Sequence, residues 1–418
     1  MNNNQISDLK RILDLWLPEK IKYDQIPGLT VGIIDHGKIV YQGAFGYADV
    51  EKKKKMTIDT NFRIASISKT FTAMAIFELE KQKKLKLNDS ILKYLPEMPK
   101  KLSGITIQQL MEHTSGLVRD GGTNHWENDR FTRRDMFLHK LKTTIPVYKP
   151  GQKFKYSNFA NSILGEIIFR ITGVTYEQYL NAMVKRLGMK NTHADLSSAV
   201  KNLASGYGRI IPGQKRQKFR PIKIYAYAPS AGFVSNVPDL LKYSQHFTKV
   251  FSKAHKNLKS TGKKRNFYGI GFEFHQTDGG LLMGHGGGFI GFKTNIYFNV
   301  TKNLGLVLLT NSLCLSAPIA FAVHDLVQYL KTTTGRNNDK KMIGLYRDRF
   351  GDKLIAPAGK KLMVFDVETI NPVTRFALLQ KKGNKYLIET KDGFASIGER
   401  VELIGKKLHW ASDVMHKL

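Results

Sequence analysis

Apolar residues recur at helical spacing near the start of the chain. Ile6, Leu9, Ile12, Leu13 and Leu15 to Leu17 share one side, which predicts an amphipathic helix over 5–25. The period then drops to two. "GLTVGIIDHGKIVYQGAFGYAD" places two β runs around Asp35-His36-Gly37, a hairpin turn signal. In "SKTFTAMAIFELEKQKKL" the helical period returns, with Phe71, Met74, Ala75 and Leu79 on one face. Similar spacing predicts helices over 106–113, 157–172, 176–186 and 237–249, and β runs over 268–274, 281–284, 291–299 and 304–310. "APIAFAVHDLVQYLKTT" reads as a closing helix. Strands thus flank a helical middle. If both sets share one sheet, that sheet is antiparallel and joins distant segments, an α+β fold with helices on both faces and a helical region.

The pattern changes after the polar linker "TTTGRNNDKK" (332–341). "MIGLYRDRF", "KLIA", "KLMVFDVE", "RFALLQ", "KYLIET", "RVELIG" and "KLHWA" are short β-like runs separated by turn residues. The expected organisation is a large domain over 1–332 and a small all-β, lipocalin-like or barrel-like domain over 340–418.

The 418 residues suit a large domain plus a smaller one, and 42% hydrophobic with 11% aromatic residues is a globular composition. The lone Cys314 excludes an intrachain disulfide and a cysteine zinc site. The charge is extreme: 66 Lys+Arg against 34 Asp+Glu give +32, which attracts anionic surfaces and polymers. Yet the basic runs are scattered ("EKKKKM", "KQKKLK", "PGQKRQKFRPIK", "KAHKNLKSTGKKRN"), and no nucleic-acid motif accompanies them, so specific nucleic-acid binding is not expected. The polar N-terminal stretch has no signal-type apolar core, and no run approaches the ~18 apolar residues that span a membrane. A soluble chain is expected, either cytoplasmic or a mature form after signal removal.

Three stretches carry candidate chemistry. Ser66 and Lys69 stand three apart at a helix start, so they point the same way, and small or apolar neighbours place Lys69 among buried positions. Burial lowers a lysine's pKa and makes it a base for the serine. The ordinary alternative is a capping serine beside an exposed lysine. In "KPGQKFKYSNFANSILGEII", Tyr156 reads either as an aromatic anchor or as a phenol whose pKa nearby cations depress, and Asn158 as a helix cap. In "LLMGHGGGFIGFKTNIYF", His285 precedes three glycines in a strand, which would leave the Gly288 N–H facing a substrate oxygen; a flexible loop is the alternative.

In this order and spacing, Ser-x-x-Lys, Tyr-x-Asn and His-x-Gly resemble the serine β-lactamase and penicillin-binding-protein superfamily, closest to its class C β-lactamase-like, D-Ala-D-Ala carboxypeptidase and esterase members. "ITIQQLMEHTSGL", "APSAGFVSNVPDLLKYSQ" and "YGIGFEF" also look like that family, and the resemblance covers about residues 20–330. It implies an acyl-enzyme at Ser66, proton handling by Lys69 and Tyr156, a substrate and oxyanion side built from Asn158, His285, Gly287 and Gly288, and neither metal nor cofactor. The oxyanion donors would be the N–H groups of Ser66 and Gly288. His285 stands where many lactamases carry Lys-Thr-Gly; a histidine offers charge only when protonated, which disfavours β-lactam hydrolysis and fits a short peptide, amide or ester better. The competing expectation is a weakly catalytic scaffold that docks on an anionic polymer or surface through its lysines. The C-terminal module is a candidate lid or homo-oligomer contact.

Overall fold

The structure, a computed structural model, describes every residue except 122–124, 338, 390–395 and 412. Helix α1 (Asn3–Tyr23) opens on a capping box in which Asn2 and Gln5 satisfy each other's backbone N–H. It leads into the hairpin β1 (Gly28–Asp35) and β2 (Lys38–Asp49), with a short β3 (Lys54–Lys55). A helical region follows, including α2 (Ser68–Lys81), α3 (Asn158–Thr172), α4 (Tyr176–Arg186) and α5 (Val237–Ser244). The strands then resume as β4 (Lys259–Ser260), β5 (Asn266–Tyr268), β6 (Glu273–Thr277), β7 (Gly280–Phe289), β8 (Phe292–Asn299) and β9 (Leu304–Thr310), followed by α6 (Ser316–Thr332).

The two strand sets form one nine-stranded antiparallel sheet, ordered β3-β2-β1-β9-β8-β7-β6-β5-β4. The join is β1 against β9, with Leu29 opposite Thr310 and Asp35 opposite Leu304. Successive side chains point to opposite faces, and both faces of these strands are apolar. Leu304, Leu306 and Leu308 pack with α1 and α6, whereas Val307 and Leu309 pack with α2 and α5. The run expected over 268–274 is two strands. Gly269 N–H donates to Phe272 O, and Gly271, at φ +82°, turns the chain so that Glu273 pairs with Tyr268. The helix expected over 237–249 is α-helical only to Ser244 and continues as a 3-10 turn.

The C-terminal strands close an eight-stranded antiparallel barrel over Gly344–Lys417. Its last strand, Asp413–Lys417, is absent from the sequence-based expectation; it closes the barrel by setting Lys417 opposite Tyr346. Of the expected "KYLIET" run, Lys385–Ile388 is a strand and Thr390 lies outside the described residues. One wall of the barrel rests on α1. Trp16, fully buried, meets Phe365 edge-on and donates to Val367 O at 3.3 Å, while Asp8 accepts from Gly359 N–H at 2.8 Å. That is the sheet face opposite α2, so the docked barrel is not a lid over Ser66.

Candidate active site

The chain reaches Ser66 through a strained elbow. Phe62–Arg63 pairs with Val234–Ser235, and Ile64 N–H donates to Phe233 O at 2.9 Å. Ala65 then takes φ +52°, a left-handed conformation that costs a side-chain-bearing residue energy and persists only where the surroundings enforce it. Ser68 supplies part of that enforcement. Fully buried, it donates to Ala65 O at 2.5 Å and accepts from Phe233 N–H at 3.0 Å. Ser66 sits in the 3-10 turn Ala65–Ile67 that runs directly into α2.

Lys69 lies one turn on, 1% exposed. Its Nζ donates to Ser230 O at 2.7 Å, Asn158 Oδ1 at 2.8 Å and Ser66 Oγ at 3.1 Å. Burial, aided by the Arg119 cation, pulls its pKa well below the ordinary lysine value; Asp120 and Glu273 oppose this without cancelling it. Tyr156 OH donates to Ser66 Oγ at 2.9 Å. The expectation of a depressed phenol is overturned: burial first, with the Glu273 and Asp120 charges, outweighs the Ser66 hydrogen bond and Arg119, and the phenol titrates above its usual range. Asn158 is not the cap of α3. Ser157 caps it by accepting from Ala160 N–H at 2.9 Å, which frees Asn158 to bridge Lys69 and, through Nδ2, Asp120 Oδ1 at 2.6 Å.

His285 lies on β7, fully within the protein at 1% exposed. Its Nε2 is 3.2 Å from Tyr268 OH and its Nδ1 3.6 Å from Glu273 Oε1. Burial lowers its pKa despite Glu273, so the ring is neutral at neutral pH and offers no fixed charge. The glycines after it run in regular strand to Phe289, not in a loop. Gly287 is dictated by contact: a Cβ there would stand 2.3 Å from Ile64 O and 2.1 Å from Thr294 Oγ1, so the strand lies directly against the Ser66 elbow. Gly286 N–H points away from β8 and donates to Glu273 Oε2 at 2.8 Å. Two residues on, Gly288 N–H points to the same edge, past Gly284 where pairing with β6 ends.

All seven residues singled out by sequence therefore lie on the elbow, on α2, at the start of α3 or on β7. Their neighbours include groups that spacing alone did not single out. His113 packs against Tyr156 with ring centres 4.4 Å apart and planes tilted by 40°, and accepts from Ser157 N–H at 3.2 Å. Tyr268 and Glu273 hold His285, Ser230 O holds Lys69, and Arg119 lies 5.5 Å over the Tyr156 ring. His113, Ser230, Tyr268 and Glu273 all fall inside segments with a family look, "ITIQQLMEHTSGL", "APSAGF" and "YGIGFEF".

A family model described as Beta-lactamase matches residues 14–320. The chain belongs to the beta-lactamase family. Protein flp of Staphylococcus aureus (strain NCTC 8325 / PS 47) is 28% identical over 362 residues, 82% of this chain and 71% of that protein. Penicillin-binding protein 4* of Bacillus subtilis (strain 168) is 25% identical over 306 residues, 68% of this chain and 67% of that protein. Two solved structures share the fold of this beta-lactamase family member. An octameric penicillin-binding protein homologue from Pyrococcus abyssi superposes with TM-score 0.67 at 21% identity, covering 99% of this chain and 100% of that one. D-alanine carboxypeptidase AmpC from Burkholderia cenocepacia superposes with TM-score 0.63 at 22% identity, covering 75% of this chain and 95% of that one.

Proposed function

We propose that this beta-lactamase family member is a serine hydrolase that forms an acyl-enzyme at Ser66 on a peptide, amide or ester carbonyl. One observation carries the reading: Ser66 Oγ is held between Lys69 Nζ at 3.1 Å and Tyr156 OH at 2.9 Å, with Lys69 buried. The partners of Lys69 support its role as the base. Ser230 O and Asn158 Oδ1 only accept, so a neutral Lys69 spends both N–H groups on them and turns its lone pair to the Ser66 hydroxyl. Ser66 Oγ attacks the carbonyl carbon as its proton passes to Nζ. The oxyanion meets the N–H groups of Ser66 and Gly288. Tyr156, still protonated, gives its proton to the leaving nitrogen or oxygen and is reprotonated from Lys69. Water then cleaves the ester by the reverse sequence.

The neutral, enclosed His285 supports substrates that need no charge from that position, which favours peptides and esters over β-lactams. The test is a panel of nitrocefin, p-nitrophenyl esters and D-amino-acid peptides, with a fluorophosphonate label, on wild type and Ser66→Ala. Ester or peptide turnover with weak nitrocefin cleavage, and labelling that vanishes in Ser66→Ala, is the expected result. No label on wild type, or equal label on the variant, overturns it.

A further inference from the structure

A cavity of about 500 Å³ lies behind the Lys69 cradle. That is ample for a small ligand. Its walls include Phe137, Phe169, Pro229 and the rings of Tyr176 and Tyr225, with Arg133 among them. Two features mark it as more than a packing gap. Tyr225 stands at φ +46°, an outlier for a bulky residue, held there by Asp195, which accepts the N–H groups of Ile224 and Tyr225 at 3.1 and 3.0 Å. Its ring lies within reach of two cations, Arg133 at 5.3 Å and Lys223 at 5.4 Å. Arg134 is already committed to Glu166 through two hydrogen bonds of 2.7 and 2.6 Å, and Arg170 is committed to Glu166 and Glu97. Arg133 is exposed and has no ion-pair partner among the described residues. Glu177 also borders the cavity, which places an incoming anion on Arg133.

The far side of the same walls holds the catalytic candidates. Pro229 O accepts from Thr72 Oγ1 at 2.7 Å, and the next carbonyl, Ser230 O, accepts from Lys69. Ser162, another wall residue, donates to Asn158 O at 3.4 Å. We propose that this cavity binds a flat aromatic ring bearing an anionic group, with the ring among Phe137, Tyr176 and Tyr225 and the anion on Arg133, and that its occupancy is felt at Lys69. The coupling rests on the proposed acylation of Ser66; the binding does not.

The probe is 8-anilinonaphthalene-1-sulfonate, with the uncharged N-phenyl-1-naphthylamine as its counterpart. Fluorescence titration should give one saturable sulfonate site per chain, bound about tenfold more tightly than the neutral ring, as a charge-assisted contact predicts. Arg133→Gln should erase that preference and leave unprobed Ser66 labelling unchanged. Ala226→Trp, which fills the cavity, should abolish binding, whereas Ala44→Trp in the separate groove beside α1 should not; unfolding curves confirm that each variant is folded. With the site full, the rate of Ser66 labelling by a fluorophosphonate should change about fivefold or more. Binding indifferent to both Arg133→Gln and Ala226→Trp overturns the site. An unchanged labelling rate at saturation overturns the coupling. If Ser66 is never labelled, the proposed hydrolase fails instead, and the titration still decides the site.

Discussion

Lys69 and Tyr156 touch the same oxygen, and burial moves their pKa values in opposite directions. It disfavours the ammonium on one and the phenolate on the other, so one physical cause favours the proposed base and the proposed acid alike. The rate of Ser66 acylation should rise as pH climbs through the depressed Lys69 value and fall only above the usual tyrosine range. Arg119 helps to depress Lys69. In Arg119→Gln the amine keeps its proton to higher pH, so the rising limb of the pH–rate profile should shift upward; a limb that stays in place or moves down refutes the assignment. His113 gives a stability counterpart. Burial first, reinforced by the nearby basic groups Lys69, His285 and Arg119, holds its pKa well below 6.5, so the unfolded chain binds a proton that the folded one refuses. Stability from this group is therefore complete above 6.5 and is lost as pH falls from 6.5 toward the folded value. His113→Asn keeps an acceptor for Ser157 N–H and should lose less stability than wild type between pH 7 and pH 5 in urea unfolding; equal losses refute it. The spacing of Ser66 and Lys69 was legible because i and i+3 must meet on one turn. The direction of the Tyr156 shift was not, because cations close in sequence count for less than enclosure by His113, Tyr268 and β7, which no local pattern displays.

Among elements, the site depends on how closely β7 approaches the elbow before α2. Gly287 and Gly288 look alike in sequence but face different neighbours. A Cβ at Gly287 meets Ile64 O and Thr294 Oγ1, both fixed, since Thr294 itself donates to Ile64 O at 2.9 Å. A Cβ at Gly288 meets only the flexible end of Lys293 at 2.9 Å. Gly287→Ala should therefore displace the elbow, lowering Ser66 labelling by about 100-fold or more, on the scale of a lost oxyanion donor, and costing roughly 1–3 kcal/mol of stability. Gly288→Ala should stay within about tenfold of wild type and near its stability, since it deletes no N–H. Labelling assays and melting curves on both variants compare them, and similar losses in the two refute the contact argument. The glycine run was visible in the sequence. Which glycine bears the contact depends on strand register and on an elbow more than 200 residues away, information that only the folded sheet contains.

At the scale of the whole molecule, one antiparallel sheet separates two functions of its faces. Ser66, α2 and α5 occupy one face, while α1, α6 and the barrel wall occupy the other. The period-two alternation of apolar residues predicted such a sheet, and the switch to short β runs after 341 predicted the barrel's character. How the barrel docks was hidden, because Trp16 reads equally well as a core residue of α1 alone. It is instead shared, packed on Phe365 and hydrogen-bonded to Val367 O. Trp16→Ala removes that ring and leaves a cavity between α1 and the barrel, at a cost of about 3–5 kcal/mol. The damage falls on the face away from Ser66. Trp16→Ala should therefore unfold at clearly lower denaturant while its folded fraction still labels Ser66 at a rate within about threefold of wild type, because additivity holds between distant sites. Trp16→Phe should recover much of the stability, since it refills most of the volume and forgoes only the hydrogen bond, worth about 1 kcal/mol. A Trp16→Ala protein that is as stable as wild type removes the docking argument. One that is folded but unlabelled shows that the barrel face and the Ser66 face are coupled through the sheet.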